Sequence, residues 1–316
     1  MKKEVEVYLC TSFKVVMKTA VRTAKVAPWS LLFSDFKEIT KARLAISVVF
    51  SSLAGYLLAP VSLNLVSLLL LAFGGYCMVG ASNAYNQIIE RDLDASMNRT
   101  KNRPIPSGRM SVNNALIIAV VLTILGIVSL YYLNAKTAMF GAISIFLYTS
   151  VYTPLKTITP LAVFVGAFPG AIPFMLGWVA ATNEFGIEPG TLFMIQFFWQ
   201  FPHFWALGWM LDEDYKKGGF KMLPTGKKDT GTIMQILMYT IWMIVISVIP
   251  VFGITGDLML SIPAAILIFL LGLVMLFFGF QLYKKRDNPT AKKLMLASVS
   301  YITLMQIVYV VDKFIS

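Results

Sequence analysis

Cysteine and histidine are nearly absent from this chain, and charge is sparse. Of 316 residues two are cysteine, one is histidine and only 14% are charged. Cys10 and Cys77 offer neither metal-ligand spacing nor a disulfide framework, which leaves them as small apolar residues. Acids are also scarce, 16 against 27 lysines and arginines, for a formal charge of +11. What fills the chain is apolar: 57% hydrophobic residues and a mean hydropathy of +0.72. That is the composition of a polytopic membrane protein, for which length says nothing about soluble domain count.

The apolar runs read as nine spans in an all-α bundle, at about 43–60, 64–90, 113–133, 137–154, 160–181, 190–210, 232–252, 258–282 and 294–312. On this reading only Lys136 and Lys313 lie on one side, and every other basic residue lies on the other. Such asymmetry puts the N-terminus and the loops at 91–112, 155–159, 211–231 and 283–293 in the cytoplasm. The positive charge is therefore an orientation signal with a local ligand role, and does not suggest nucleic acid. Residues 1–35 read as a basic arm ahead of a membrane domain at 36–316. Lys14, Lys18, Arg22 and Lys25 share one helical face, suited to an anionic leaflet. A mitochondrial presequence has similar chemistry; the short, Lys-rich arm opening with Glu4 and Glu6 favours a bacterial inner membrane.

Against this apolar background one stretch stands out, Asn86 to Arg109. Asn86, Glu90 and Asp94 recur every fourth residue, so they share a helix face within roughly 12 Å of axis. Arg91, Arg99, Lys101, Arg103 and Arg109 follow. Solvated caps and topology-setting charges are the plain reading of such a stretch. Against it, an unpaired carboxylate near lipid costs up to about 3 kcal/mol, so two on one face call for a counter-ion.

Further along, Tyr152 and Lys156 close the fourth span, where Lys156 serves topology or a ligand equally well. Gly166, Pro169, Gly170, Pro173 and Gly177 mark the fifth span either as bent, with neighbours satisfying the freed carbonyls, or as tightly packed. The sixth span holds the lone His203 among Trp199, Gln200, Phe204 and Trp205, then meets Asp212, Glu213 and Asp214. A lone membrane histidine reads first as a helix–helix hydrogen bonder and second as a ligand. An internal echo joins the two acidic stretches: Arg103–Arg109 (R-P-I-P-S-G-R) resembles Lys221–Lys227 (K-M-L-P-T-G-K), and Asp94 precedes Pro106 by the same twelve residues as Asp212 precedes Pro224. The repeat would be parallel, with a site between its halves.

Two acidic clusters converging from such halves suit Mg²⁺, which takes oxygen ligands and shares its shell with substrate phosphates. Basic side chains from the same loops would clamp the remaining phosphate charge. The greasy, aromatic remainder suits a hydrocarbon tail and an allylic carbocation left by departing diphosphate.

At this point the residues carry a resemblance. The pattern N-x-x-x-E-R-D-x-D-x-x-M-x-R-T-x-N-R-P-I-P-S-G from Asn86 resembles the first signature of the UbiA-type intramembrane prenyltransferases. Tyr152–Lys156, Gly166–Pro173 and Trp199–Phe204, leading to Asp214 and Tyr215, resemble the heme-farnesylating branch of that family. The resemblance covers residue 36 to the C-terminus. It implies a helical bundle around a central cavity, and transfer of farnesyl from farnesyl diphosphate to a vinyl group of heme b with Mg²⁺. Heme A synthase or terminal-oxidase assembly factors would be the protein partners. By matching position it assigns Asn86, Glu90 and Asp94 to the first metal–diphosphate motif and Asp214, with Asp212 as auxiliary, to the second. Arg99, Arg103, Lys156 and Lys217 become diphosphate contacts, and His203 and Tyr152 heme or cation contacts. Two departures stand out. Gly218 occupies the place of a second acid four residues past Asp214, and Ala42 follows Thr40 and Lys41 where the family has proline. Gly218 and Gly219 suggest that the helix ends early, which would let Asp212 and Asp214 both reach the site. The alternatives are prenyl transfer to an aromatic quinone precursor and, in another class, a cation transporter.

Overall fold

The computed structural model describes residues 29–316. The basic face expected at Lys14, Lys18, Arg22 and Lys25 lies outside the described residues. The chain divides into Met1–Phe36 and Lys37–Ser316, and the candidate site lies in the second unit.

Every regular element among the described residues is helical: α1 (Trp29–Ile39), α2 (Ala42–Leu58), α3 (Leu65–Ile89), α4 (Arg91–Ser96), α5 (Val112–Tyr131), α6 (Ala135–Phe146), α7 (Ala162–Thr182), α8 (Ile187–Met210), α9 (Asp212–Lys217), α10 (Thr230–Val248), α11 (Ile262–Lys285) and α12 (Asn288–Ile315). Helix is what lipid demands, because only there are the backbone polar groups satisfied within the segment. The starts are written locally. Asn64, Ser111, Asn134, Asp229, Ser261 and Asp287 each accept a backbone N–H three residues on, immediately ahead of an apolar run.

Among the described residues seven helices are long and apolar enough to cross a membrane, or eight if the bent pair Ser30–Ile39 and Ala42–Leu58 is counted as one. Nine spans were expected, and the difference has a physical reason. With 17 residues, α2 rises only about 26 Å, at the lower limit for crossing a bilayer core. The 24-residue α8 is long enough, but Glu188, Gln196, Gln200 and His203 dilute its apolar run.

Two packing details position the site. Helices α2 and α7 cross at glycine: a Cβ on Gly55 would sit 2.0 Å from the Phe174 carbonyl oxygen, and one on Gly177 1.9 Å from that of Ser52. Helix α7 stays continuous through Pro169 and Pro173. Pro173 has no N–H for the Pro169 carbonyl, and Ser144 Oγ of α6 donates to that oxygen instead, at 3.3 Å.

The echo seen in the sequence has a backbone counterpart. Helix α3 breaks at Glu90 (φ −91°, ψ 8°) and α8 at Leu211 (φ −101°, ψ 12°), and a six-residue helix follows each break. Gly108 (φ 76°) and Gly226 (φ 77°) then turn the two loops through the same left-handed conformation.

Candidate active site

At the break in α3 the chain buries three polar side chains, Asn86 at 1%, Glu90 at 4% and Asp94 at 1% exposure. Glu90 meets Lys156 Nζ at 2.7 Å through Oε1, and Asp94 Oδ2 meets Arg103 Nη1 at 2.6 Å. The other Asp94 oxygen, Oδ1, is buried without a hydrogen-bond partner. A buried carboxylate oxygen left bare is costly unless something is meant to meet it.

Lys156 reaches Glu90 because the helix before it widens. Leu147–Tyr152 is a π-helical turn, in which the Thr153 amide donates five residues back to the Tyr148 carbonyl. Thr153 Oγ1 donates to the same carbonyl at 2.8 Å, while Pro154 can donate nothing. Asn86 Nδ2 donates in turn to Thr153 Oγ1 at 3.2 Å. The buried Tyr152 ring lies 4.6 Å from the Lys156 ammonium, and Phe220 lies 5.6 Å from it.

The second acidic stretch comes to the same end of the bundle. Asp214 Oδ1 accepts the Asn98 amide at 2.8 Å, and Oδ2 accepts the Arg99 amide at 3.2 Å. Ser96 Oγ donates to the Lys217 carbonyl, and a Cβ on Gly218 would lie 2.9 Å from Met97 Sδ. The Lys221 amide closes the arrangement on the Lys156 carbonyl at 2.7 Å. Helix α9 does not end early enough for the two acids to converge: Asp212 turns to Lys216 at 2.8 Å while Asp214 faces the first loop. Among the described residues no three Asp, Glu, His or Cys side chains come together as a metal cage.

The family model for the UbiA prenyltransferase family matches residues 48–304. The protoheme IX farnesyltransferase of Flavobacterium psychrophilum is 70% identical over 291 residues, covering 91% of this chain and 97% of its own. The chain belongs to the UbiA prenyltransferase family. The protoheme IX farnesyltransferase of Christiangramia forsetii is likewise 70% identical, over 91% of this chain and 96% of its own. Among solved structures, a digeranylgeranylglyceryl phosphate synthase superposes with a TM-score of 0.73 at 19% identity, over 89% of this chain and 98% of its own. An Archaeoglobus fulgidus UbiA homologue, bound to dimethylallyl diphosphate (DMAPP) and Mg²⁺, gives 0.65 at 14% identity over 87% and 99%. These two likenesses speak for a shared UbiA fold.

Within this UbiA bundle the remaining expected residues fall as follows. Arg99 is exposed, with its guanidinium 5.9 Å from the Tyr215 ring, and Lys217 is exposed with its backbone engaged by Ser96. Burial pushes the Tyr215 hydroxyl above its usual range, so it stays a neutral donor. His203 points to α12: Nδ1 bonds Ser298 Oγ at 2.8 Å, and the ring stacks on Trp199, whose Nε1 donates to the Ser298 carbonyl at 2.6 Å. That engagement fits the helix–helix reading of this histidine.

Two residues were not singled out as site residues from the sequence, although each lies in a stretch compared with the family. Thr153 is one. Lys41 is the other, in the turn between α1 and α2 with left-handed backbone, φ 47° and ψ 56°. Burial lowers its ammonium to about pKa 7, helped by Arg103 and Lys156 and opposed by Glu90.

The clip at Asp214 carries a prediction for this UbiA enzyme. Asparagine offers one acceptor oxygen where the carboxylate offers two, so Asp214→Asn strands the Asn98 or Arg99 amide. Asp214→Asn should raise the Mg²⁺ concentration for half-maximal activity and lower the melting temperature by about 2–4 °C. Asp212→Asn should leave both near wild type, because its partner Lys216 is 62% exposed. Parallel Mg²⁺ titrations and melts decide it; a larger effect at Asp212 overturns the assignment.

Proposed function

We propose that this chain transfers farnesyl from farnesyl diphosphate to a vinyl group of heme b, releasing diphosphate and, with addition of water, giving heme O. One observation carries the site assignment: the bare, buried Asp94 Oδ1 within a cluster of basic side chains. Asn86, Glu90 and Asp94 would hold Mg²⁺ from one side. Asp214 retains a free lone pair on each oxygen for a metal or its water while clipping the loops. A cage of three protein carboxylates is not needed, since Mg²⁺ takes one or two with substrate phosphate and water filling the rest. When bound, it would neutralise charge on the leaving diphosphate. Arg103 and Lys156 are the cations placed to follow that charge, each exchanging a carboxylate partner for a phosphate oxygen. Tyr152, held against Lys156, presents a π face to the allylic carbon.

The shared name of the relatives favours heme over an aromatic quinone precursor as acceptor. A transport path would need acids spread through the bilayer, whereas Glu90, Asp94, Asp212 and Asp214 gather at one end. In this reading α2 and α8 also cross the membrane, making nine spans, and the site opens to the cytoplasm of a bacterial inner membrane. Heme A synthase or an oxidase assembly factor would take the product.

The test supplies purified protein with heme b, farnesyl diphosphate and Mg²⁺ and weighs the heme by mass spectrometry. A gain of one farnesyl and one water is expected. Untouched heme beside a farnesylated phenol, when a quinone precursor is offered, would transfer the assignment to the alternative acceptor.

A further inference from the structure

Three helix ends are fastened to one another where α10 begins, α11 ends and α12 begins. Arg286 Nη2 donates to Thr230 Oγ1 at 2.8 Å, joining the end of α11 to the start of α10. Lys228 Nζ donates to Asn288 Oδ1 at 3.1 Å, joining the approach to α10 to the start of α12. This junction carries Lys227, Lys228, Lys284, Lys285, Arg286, Lys292 and Lys293 against only Asp229 and Asp287. Both acids are occupied at helix starts. Asp229 Oδ1 accepts the Thr232 amide and the Thr225 hydroxyl, each at 2.8 Å, and Asp287 Oδ1 accepts the Thr290 amide at 2.8 Å. Among the described residues none of these cations forms an ion pair. Topology alone calls for positive charge at a helix end, but it requires no fixed geometry. Here the two hydrogen bonds supply one, holding cations from three segments in a single rim. The rim runs on into apolar, lipid-facing surface. Phe277, Phe280 and Lys284 recur at three- and four-residue spacing along α11, as Lys292, Leu296 and Val299 do along α12, and all six are exposed. An anionic head with apolar chains behind it fits both parts of this surface. An acidic protein would match the rim and leave the stripes uncovered.

We propose that this rim seats the headgroup of an anionic phospholipid, whose acyl chains lie along the exposed stripes of α11 and α12. None of its residues belongs to the metal and diphosphate assignment, and the inference does not rest on the prenyl-transfer reading.

The test presents the detergent-solubilised full chain with equal amounts of phosphatidylcholine and phosphatidylglycerol, and native mass spectrometry counts the phospholipids it retains. Wild type should retain phosphatidylglycerol in preference. Lys284→Gln, Lys285→Gln, Lys292→Gln and Lys293→Gln combined should lower that preference about tenfold or more, whereas arginine at all four positions should keep it. These side chains are exposed, so both combinations should melt near wild type. Thr230→Val separates a built seat from diffuse attraction. It leaves every charge in place and frees only Arg286, and should lower the preference about threefold. This single variant also decides the matter if the fourfold ones are poorly recovered. A wild-type protein with no preference overturns the proposal and leaves an acidic protein as the partner for the rim. Unchanged preference in the glutamine combination or in Thr230→Val overturns it as well, since the rim or its fastening would then play no part.

Discussion

Asp94→Ala should reduce turnover at least about a hundredfold, on the order of 3 kcal/mol in the barrier. The reason is the division of labour between its two oxygens. Oδ2 is committed to Arg103 at 2.6 Å, while Oδ1 is buried and bare, so one carboxylate both fixes a cation and offers an open ligand position. Alanine removes both, and Asp94 Oδ1 is the only buried carboxylate oxygen without a hydrogen-bond partner among the described residues. The substitution also leaves a guanidinium that is 13% exposed without its partner, so stability should fall by about 1–3 kcal/mol. Melting and activity must therefore be measured together, with Asp94→Asn beside them. Asparagine keeps the volume and an acceptor for Arg103 but loses the charge, so it should fold nearly as wild type and remain at least tenfold impaired. Near-normal turnover in a correctly inserted Asp94→Ala protein would remove this residue from the metal assignment.

Gly177→Ala should be the most damaging single methyl in the bundle. The added Cβ would stand 1.9 Å from the Ser52 carbonyl oxygen and 2.4 Å from the Tyr56 amide nitrogen. Both are backbone atoms of α2, so no side chain can swing aside, and α2 must move bodily from α7. Overpacking of this kind costs about 3 kcal/mol or more. Gly75→Ala is the control: its nearest neighbour is Val49 Cγ2 at 3.5 Å, an ordinary contact. Size-exclusion profiles and melts of the two variants should differ sharply. A Gly177→Ala protein melting within about 2 °C of wild type would contradict the crossing described here.

How much of this could be read beforehand depended on sequence distance. Asn86, Glu90 and Asp94 announce themselves because four-residue spacing is a local property of a helix, and the segregation of charge to one set of loops is a sum over the chain. Lys156 was ambiguous alone; it became a partner only when the fold brought it to Glu90, 66 residues away. Gln87 Nε2 donates to the Glu38 and Ile39 carbonyls, 49 and 48 positions earlier, and nothing local marks that link. Asp214 was legible as an acid near the site, but its grip on the Asn98 and Arg99 amides requires the approach of two loops from different halves. The span count exceeds what length and apolarity alone support because α2 is one short helix of 17 residues and the apolar run of α8 is interrupted by Gln196, Gln200 and His203.

The wide turn at Leu147–Tyr152 ties the site to chain length as well as to chemistry. It absorbs one residue beyond what an α-helix of the same span would use, which offsets everything after it by about 100° around the axis. Lys156 faces Glu90 only with that offset in place. The ion pair is thus set by a count: lose any one residue between Leu147 and Tyr152, whatever its identity, and an ordinary helix would carry the ammonium to a different face. In this part of the chain the arithmetic of insertion and deletion governs the chemistry more strictly than substitution does.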